Sequence, residues 1–90
     1  MRLVWHDTAC IDYLDWQSRD RVVVKRINTL IRDILRGAEA GEPNIGIGKP
    51  EALKHGLSGY CSRRITSEHR LIYKVVGDEL RIAACQFHYE

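Results

Sequence analysis

The tightest constraint on this chain lies near its C-terminal end. Tyr60–Thr66, Arg70–Val76 and Glu79–Tyr89 are rich in β-branched and aromatic residues, and only Ser67-Glu68-His69 and Gly77-Asp78 separate them. Parallel neighbours need a crossover of about a dozen residues or more, so links this short admit only antiparallel hairpins. Such a sheet must bury one face, and the earlier sequence supplies the cover. Val23, Ile27, Leu30 and Ile34 recur at spacings of 4, 3 and 4, with Val24 and Ile31 widening the stripe, which is the pattern of a one-sided helix. Ser18 or Asp20 starts it, and Arg21, Lys25, Arg26, Arg32 and Arg36 lie on its other side. Gly37 suits the position just past its end, where a left-handed backbone favours glycine.

Upstream, Leu3-Val4-Trp5 is long enough for one short strand, and Asp7 or Thr8 can cap a first helix. That helix carries Cys10, Tyr13, Leu14 and Gln17 on one stripe. From Ala38 to Pro50 the periodicity dissolves among Gly41, Gly46, Gly48, Pro43 and Pro50, which predicts a long loop. Residues 51–57 fit either a helical turn or an irregular stretch. The expected order is β-α-α-β-β-β, an α+β two-layer domain with two N-terminal helices packed on an antiparallel sheet. Ninety residues hold one such domain, spanning 1–90.

Composition narrows the class. With 44% hydrophobic and 29% charged residues the chain reads as globular, and its apolar runs are too short to span a membrane. An acid within the first seven residues leaves no apolar signal-peptide core, so a cytoplasmic location is expected. Cys10, Cys61 and Cys85 are odd in number and widely spaced, which fits reduced thiols and neither a disulfide frame nor a zinc site. The net charge of +2 conceals an asymmetry. Residues 49–74 carry six basic side chains against Glu51 and Glu68, a block that suits a phosphate-facing surface or a solvated strand face.

No GxSxG, HExxH, P-loop or GxGxxG is present, so serine hydrolase, zinc protease and nucleotide-binding chemistries lack their minimal parts. If the loop carrying Glu51 meets the strands at one sheet edge, Lys49, Glu51, Lys54, His55, Arg63, Arg64, His69, Arg70 and His88 converge. Such a set suits metal-free phosphoryl transfer within RNA, which needs a base for the ribose 2′-hydroxyl, cations for the phosphorane and an acid for the departing 5′-oxygen. On residue types alone this signal is unspecific. Glu51 equally suits a solvated helix start, and His88 a terminal surface residue. Cation–π packing on Trp5 or Trp16 accounts equally well for one or two basic residues. Arg63 and Arg64 point to opposite faces of a strand, so at most one shares a site with Arg70 and the other is expected at the surface. Leu80 and Ile82 share the parity of His88, so His88 leaves the core face only through twist, a bulge or the strand's end.

Ordered words sharpen this reading. Gly48-Lys-Pro-Glu-Ala-Leu-Lys-His-Gly-Leu-Ser-Gly-Tyr, Ser62-Arg-Arg-Ile-Thr-Ser-Glu-His-Arg-Leu-Ile-Tyr and Ile82-Ala-Ala-Cys-Gln-Phe-His-Tyr closely resemble the YoeB branch of the RelE-type toxins. Leu3-Val-Trp, Asp12-Tyr-Leu-Asp-Trp-Gln and Ile27-Asn-Thr-Leu-Ile fit the same family. The resemblance implies a RelE-like fold and a bacterial type II toxin that cuts messenger RNA in the ribosomal A site without metal or cofactor. By motif position it implies Glu51 as general base, His88 as general acid and Arg70 as transition-state clamp. Lys49, Lys54 and Arg64 become phosphate contacts, and Tyr89 a substrate-positioning aromatic. The partners implied are a cognate, YefM-like antitoxin, the ribosome with its mRNA, and a second copy of the chain in a homodimer.

Two departures from the family pattern are expected to matter. The 37–48 loop is longer than usual before the GKPE word, and Glu90 adds a carboxylate after the His-Tyr pair. The same fold also serves ParE-like toxins that bind DNA gyrase and cut no RNA, and it can carry a basic RNA-binding domain without activity, because function resides in the site and not in the scaffold.

Overall fold

Chain order and pairing follow from the local patterns, with one addition. The computed structural model describes residues 1–87. Strand β1 (Arg2–Trp5) leads into helices α1 (Asp7–Arg19) and α2 (Arg21–Glu39). After the long loop come β2 (Glu51–Ala52), a 3-10 turn (His55–Leu57), β3 (Cys61–Arg64), β4 (Arg70–Val76) and β5 (Glu79–Ala84). Together they form one five-stranded sheet in the order β1-β5-β4-β3-β2. The expected α+β architecture stands, with both helices on one side of the sheet.

Asp20 starts α2 by accepting from the amides of Val22 and Val23, two of the donors a helix leaves unsatisfied at its first turn. Val23, Ile27, Leu30, Ile31 and Ile34 are buried, each contributing roughly 1.5–3 kcal/mol before entropic costs. They meet Cys61, Leu71, Tyr73, Leu80 and Ile82 from the sheet, closed at one end by Ile65 and Cys85. Among the described residues no helix is long and apolar enough to cross a membrane.

Several local expectations are corrected. The buried residues of α1 are Ala9 and Trp16, while Leu14 and Gln17 are exposed and Cys10 and Tyr13 half-buried. Trp16 rotates the stripe by one position because its indole N–H finds the Cys85 carbonyl at 2.9 Å inside the core. Helix α2 runs through Gly37, two residues short of its end. There Gly37 admits the returning chain, since a Cβ would lie 2.5 Å from the Glu42 carbonyl oxygen. β3 and β5 are shorter than their hydrophobic runs, and Glu51–Ala52 forms an unforeseen edge strand. β1 is also not antiparallel. It pairs parallel with β5, Leu3 opposite Leu80 and Trp5 opposite Ile82, across the two-helix crossover that a parallel pair requires.

One irregularity positions the site. Tyr73 faces Ile82 and Ile72 faces Ala84, so Ala83 is an extra residue in β5. This bulge reverses the alternation. Before it Leu80 and Ile82 point to the helices; after it Ala84 shares the opposite face with Ile72, and Cys85 returns to the core.

Candidate active site

Away from the helices the sheet has a second face, which the helices leave open and whose members are set by register. Glu51 on β2 stands opposite Ser62 on β3, and Ser62 opposite Ile72 on β4. Two residues along, Arg64 stands opposite Arg70. Directly paired residues share a face, as do residues two apart on a strand. Glu51, Ser62, Arg64, Arg70, Ile72 and Ala84 therefore share that face, on which Glu51 and Arg64 are exposed, Arg70 is half-buried, and Ser62, Ile72 and Ala84 are buried. Strand spacing and rise put the Glu51 and Arg70 backbones roughly 12 Å apart on it, a gap that their side chains can narrow around a ribose and its phosphate.

The cations on this face are held differently. Arg64 is exposed, and its backbone is fixed on both sides: its N–H donates to the Gly48 carbonyl at 2.7 Å and its carbonyl accepts from Arg26 Nη2 at 3.2 Å. Arg70 Nη1 donates to the carbonyls of Thr66, Ser67 and His69 at 2.9, 3.3 and 3.2 Å. The link it grips is itself shaped by Thr66, whose Oγ1 accepts from the amides of Glu68 and His69. Lys74, two positions beyond Ile72, sits 5.4 Å from the Tyr60 ring centroid.

Lys49 is exposed two residues before Glu51 and adopts a left-handed backbone, φ 51°. Lys54 is exposed just before the 3-10 turn, beyond the paired part of β2. The structure thus places Glu51, Arg64 and Arg70 on one face of the sheet, with Lys49 exposed two residues before Glu51 and Lys54 past the strand. His88, Tyr89 and Glu90 lie outside the described residues.

Arg63 overturns its expectation of a surface position. Its side chain is fully buried. Nε donates to the Tyr73 hydroxyl (3.1 Å), Nη1 to Asp33 Oδ2 (2.5 Å) and the Ile47 carbonyl (3.1 Å), and Nη2 to the carbonyls of Pro43 (2.9 Å) and Ile45 (3.3 Å). Asp33 Oδ2 also accepts from the Ile47 amide. The guanidinium beside it holds the Asp33 carboxyl below the usual carboxylate value, while burial raises the Tyr73 hydroxyl above its own. A buried arginine thereby fastens the 43–47 loop to α2 and β3, immediately ahead of Lys49-Pro50-Glu51. Strand parity showed that Arg63 and Arg64 diverge; the acceptors that make burial of Arg63 tolerable came from a loop whose course parity does not describe.

His69 likewise belongs to the core side. It shares parity with Leu71 and Tyr73, and its ring packs edge-on against Trp16 with centroids 4.9 Å apart. Arg19 covers the same indole at 4.2 Å, so Trp16 does hold one of the basic residues through its π face.

Two helices over a mixed sheet, with a glutamate and two arginines on the face away from them, define a small α+β two-layer domain. Comparison with known proteins makes the class specific. The pattern of the YoeB-like toxin of bacterial type II toxin-antitoxin systems matches residues 5–89. Toxin YoeB of Escherichia coli strain K12 is 54% identical over 89 residues, 99% of this chain and 100% of that protein. The solved YoeB/ParE toxin from Agrobacterium tumefaciens superposes with a TM-score of 0.91 at 46% identity, covering 99% of this chain and 100% of its own. A YoeB dimer from Staphylococcus aureus gives 0.88 at 43% identity, with 99% and 98% covered. The heterotetrameric YoeB-YefM complex from that organism gives 0.86 at 43%, with the same coverage. This chain belongs to the YoeB-like toxin family.

Proposed function

We propose that the chain is a ribosome-dependent endoribonuclease that cuts mRNA in the A site, with the open sheet face as its active surface. The Glu51 carboxylate takes the proton of the ribose 2′-hydroxyl, and O2′ attacks the adjacent phosphorus. Arg70, with Arg64 on the same face and Lys49 and Lys54 as further phosphate contacts, neutralises the charge that grows on the phosphorane oxygens. The P–O5′ bond breaks, His88 gives its proton to O5′, and a 2′,3′-cyclic phosphate and a 5′-hydroxyl result. Tyr89 positions the substrate. A guanidinium tied to three carbonyls needs little reorganisation as charge develops, which suits a clamp.

The observation that carries this reading is the sheet register, which sets Glu51, Arg64 and Arg70 on the one face the helices leave open. The Ala83 bulge reverses the faces of β5 before Ala84, where the strand ends, and His88 lies beyond the described residues. Likeness to the YoeB-YefM complex and the YoeB dimer from S. aureus supports a YefM-like antitoxin and a homodimer for this chain. An acidic segment that folds on binding would suit the basic 49–74 block. A cytoplasmic site of action follows from the ribosomal substrate.

A purified translation system tests the reading. Codon-phased cuts that require ribosomes are expected, with Glu51→Ala and His88→Ala each slowing cleavage about 10²–10⁴-fold. Intact message together with double-strand DNA breaks after induction would instead assign the chain to the gyrase-binding class.

A further inference from the structure

We propose that His69 is a positioning residue for the catalytic tail, acting through its neutral Nδ1 as the acceptor that fixes the backbone one residue before His88. The inference rests on the nuclease reading above for its consequence, but not for its geometry. Past the end of β5 the chain is no longer held by sheet pairing, yet residues 85–87 are tied at three points. The Cys85 carbonyl accepts from Trp16 Nε1 at 2.9 Å, and the Phe87 carbonyl accepts from the Arg70 amide at 2.8 Å. The Phe87 amide donates to His69 Nδ1 at 2.8 Å. Only the last of these bonds depends on a side chain next to Arg70, and together with the Arg70–Phe87 backbone bond it holds the residue before position 88.

The ring is placed for this task and not for contact with substrate. Its backbone is locked, with the amide donating to Thr66 Oγ1 at 3.0 Å and the carbonyl accepting from Ile65 and Thr66 at 2.9 and 3.2 Å. Its plane stands edge-on to Trp16 at 4.9 Å and tilted to Phe87 at 5.6 Å. An Nδ1 that accepts leaves the ring proton on Nε2, which faces Glu68 Oε1 at 3.4 Å. Phe87 itself has a left-handed backbone, φ 58°, a conformation that a non-glycine residue holds only when its surroundings impose it. Here two bonds of 2.8 Å hold it, from the Phe87 amide to His69 and from the Arg70 amide to the Phe87 carbonyl. His69 and Arg70 thus serve two sides of the sheet from adjacent positions: the Arg70 guanidinium grips the 66–69 turn on one, while His69 holds Phe87, the residue before His88, on the other.

Two variants of the full-length chain separate this role from mere packing. His69→Phe keeps an aromatic ring against Trp16 without the acceptor; His69→Asn keeps an acceptor near the place of Nδ1 without the ring. Amide exchange at Phe87 should quicken about 2- to 10-fold in His69→Phe, the scale of one hydrogen bond, and stay near wild type in His69→Asn. Single-turnover cleavage of ribosome-bound mRNA should slow about 10- to 100-fold in His69→Phe, as for a misplaced catalytic group. Half-saturating toxin concentration should hold, and His69→Asn should recover most of the rate. Wild-type exchange at Phe87 in His69→Phe would overturn the assignment, as would wild-type cleavage by His69→Phe where Glu51→Ala and His88→Ala are inactive. If Glu51→Ala and His88→Ala cleave like wild type, the nuclease assignment fails instead, and Phe87 exchange still decides whether His69 holds the tail.

Discussion

Replacing Asp33 with alanine tests the claim that a buried arginine holds the loop ahead of Glu51. The change deletes the 2.5 Å bond from Arg63 Nη1 and the 3.1 Å bond from the Ile47 amide. A hydrogen bond to a charged group contributes about 1.5–3 kcal/mol when sheltered, as for Arg63, and about 0.5–1 where water screens it, as at the Ile47 amide. Arg63 is left fully buried with only neutral acceptors, an additional penalty. Alanine returns about 0.5 kcal/mol of helix propensity at a position inside α2. The net expectation is a loss of about 2–4 kcal/mol, below the full value of a buried pair because Asp33 keeps one fifth of its side chain in water. For a domain of this size that lowers Tm by roughly 10–20 °C. The loss should also depend on pH. The Asp33 carboxyl is held below 3.8 in the folded chain, so its stabilisation is complete above that value and fades as pH falls through the lower folded one. Wild type and Asp33→Ala should therefore converge in stability only in strong acid. Thermal and urea unfolding at several pH values measure both effects. A loss at neutral pH below about 1 kcal/mol, the range of exposed ion pairs, would refute the account.

Other positions give sharper local outcomes. Gly48→Ala should destabilise the chain by about 1–3 kcal/mol, because its φ is +82° and the new Cβ would sit 2.8 Å from Leu30 Cδ2 and 3.2 Å from Arg63 Cβ; wild-type unfolding in urea would contradict this. Gly37→Ala, ordinarily a gain inside a helix, should instead destabilise, since its Cβ would meet the Glu42 carbonyl at 2.5 Å; a higher Tm would show that the 41–43 backbone yields freely. Cys85 is buried, and desolvation first, with the charges of Asp12 and Cys10 behind it, pushes its thiol up to about 12. A disulfide reagent near about pH 8 should find Cys85 only as fast as the chain unfolds, and rapid native labelling at Cys85 would disprove its burial.

What could be read in the sequence follows the strength of its periodic signals. Helix α2 was legible because five buried apolar residues repeat at helical spacing on a strongly one-sided element, and β4 because Arg70–Val76 is bounded by short turns on both sides. The parallel pairing of β1 with β5 left no local trace, since partners far apart in sequence share no periodic signature. The stripe of α1 was misplaced by one residue because Leu14 outranks Trp16 in apolarity, whereas the fold rewards the indole that can hydrogen-bond inside. The candidate site was legible mainly through its ordered words. No periodicity distinguishes Glu51 from another loop carboxylate, and two-residue pairing at β2 is too short to announce itself. Arg63 was misread because charge argues for the surface, and only the loop carbonyls of residues 43, 45 and 47 reverse that argument.

The same sheet must satisfy two incompatible demands, and its irregularities are where they are reconciled. Strict alternation would commit each strand to the core on one parity, so that a strand rich in Leu80 and Ile82 could never contribute its later even positions to the open face. The extra residue at Ala83 breaks that commitment once, letting Ala84 join Ile72 while Cys85 still fills the core beside Ala9, whose carbonyl faces its thiol at 3.5 Å. β3 solves the same problem without a bulge, through adjacent arginines of opposite fate. Arg63 spends its charge wholly inside the protein, on Asp33 and on the loop that leads to Glu51. Arg64, one residue on, keeps its charge in solvent while its backbone secures Gly48 in the same loop. Placement of Glu51 therefore depends on residues that never touch the open face, which makes Arg63 and Asp33 as necessary to the geometry of that surface as the groups standing on it.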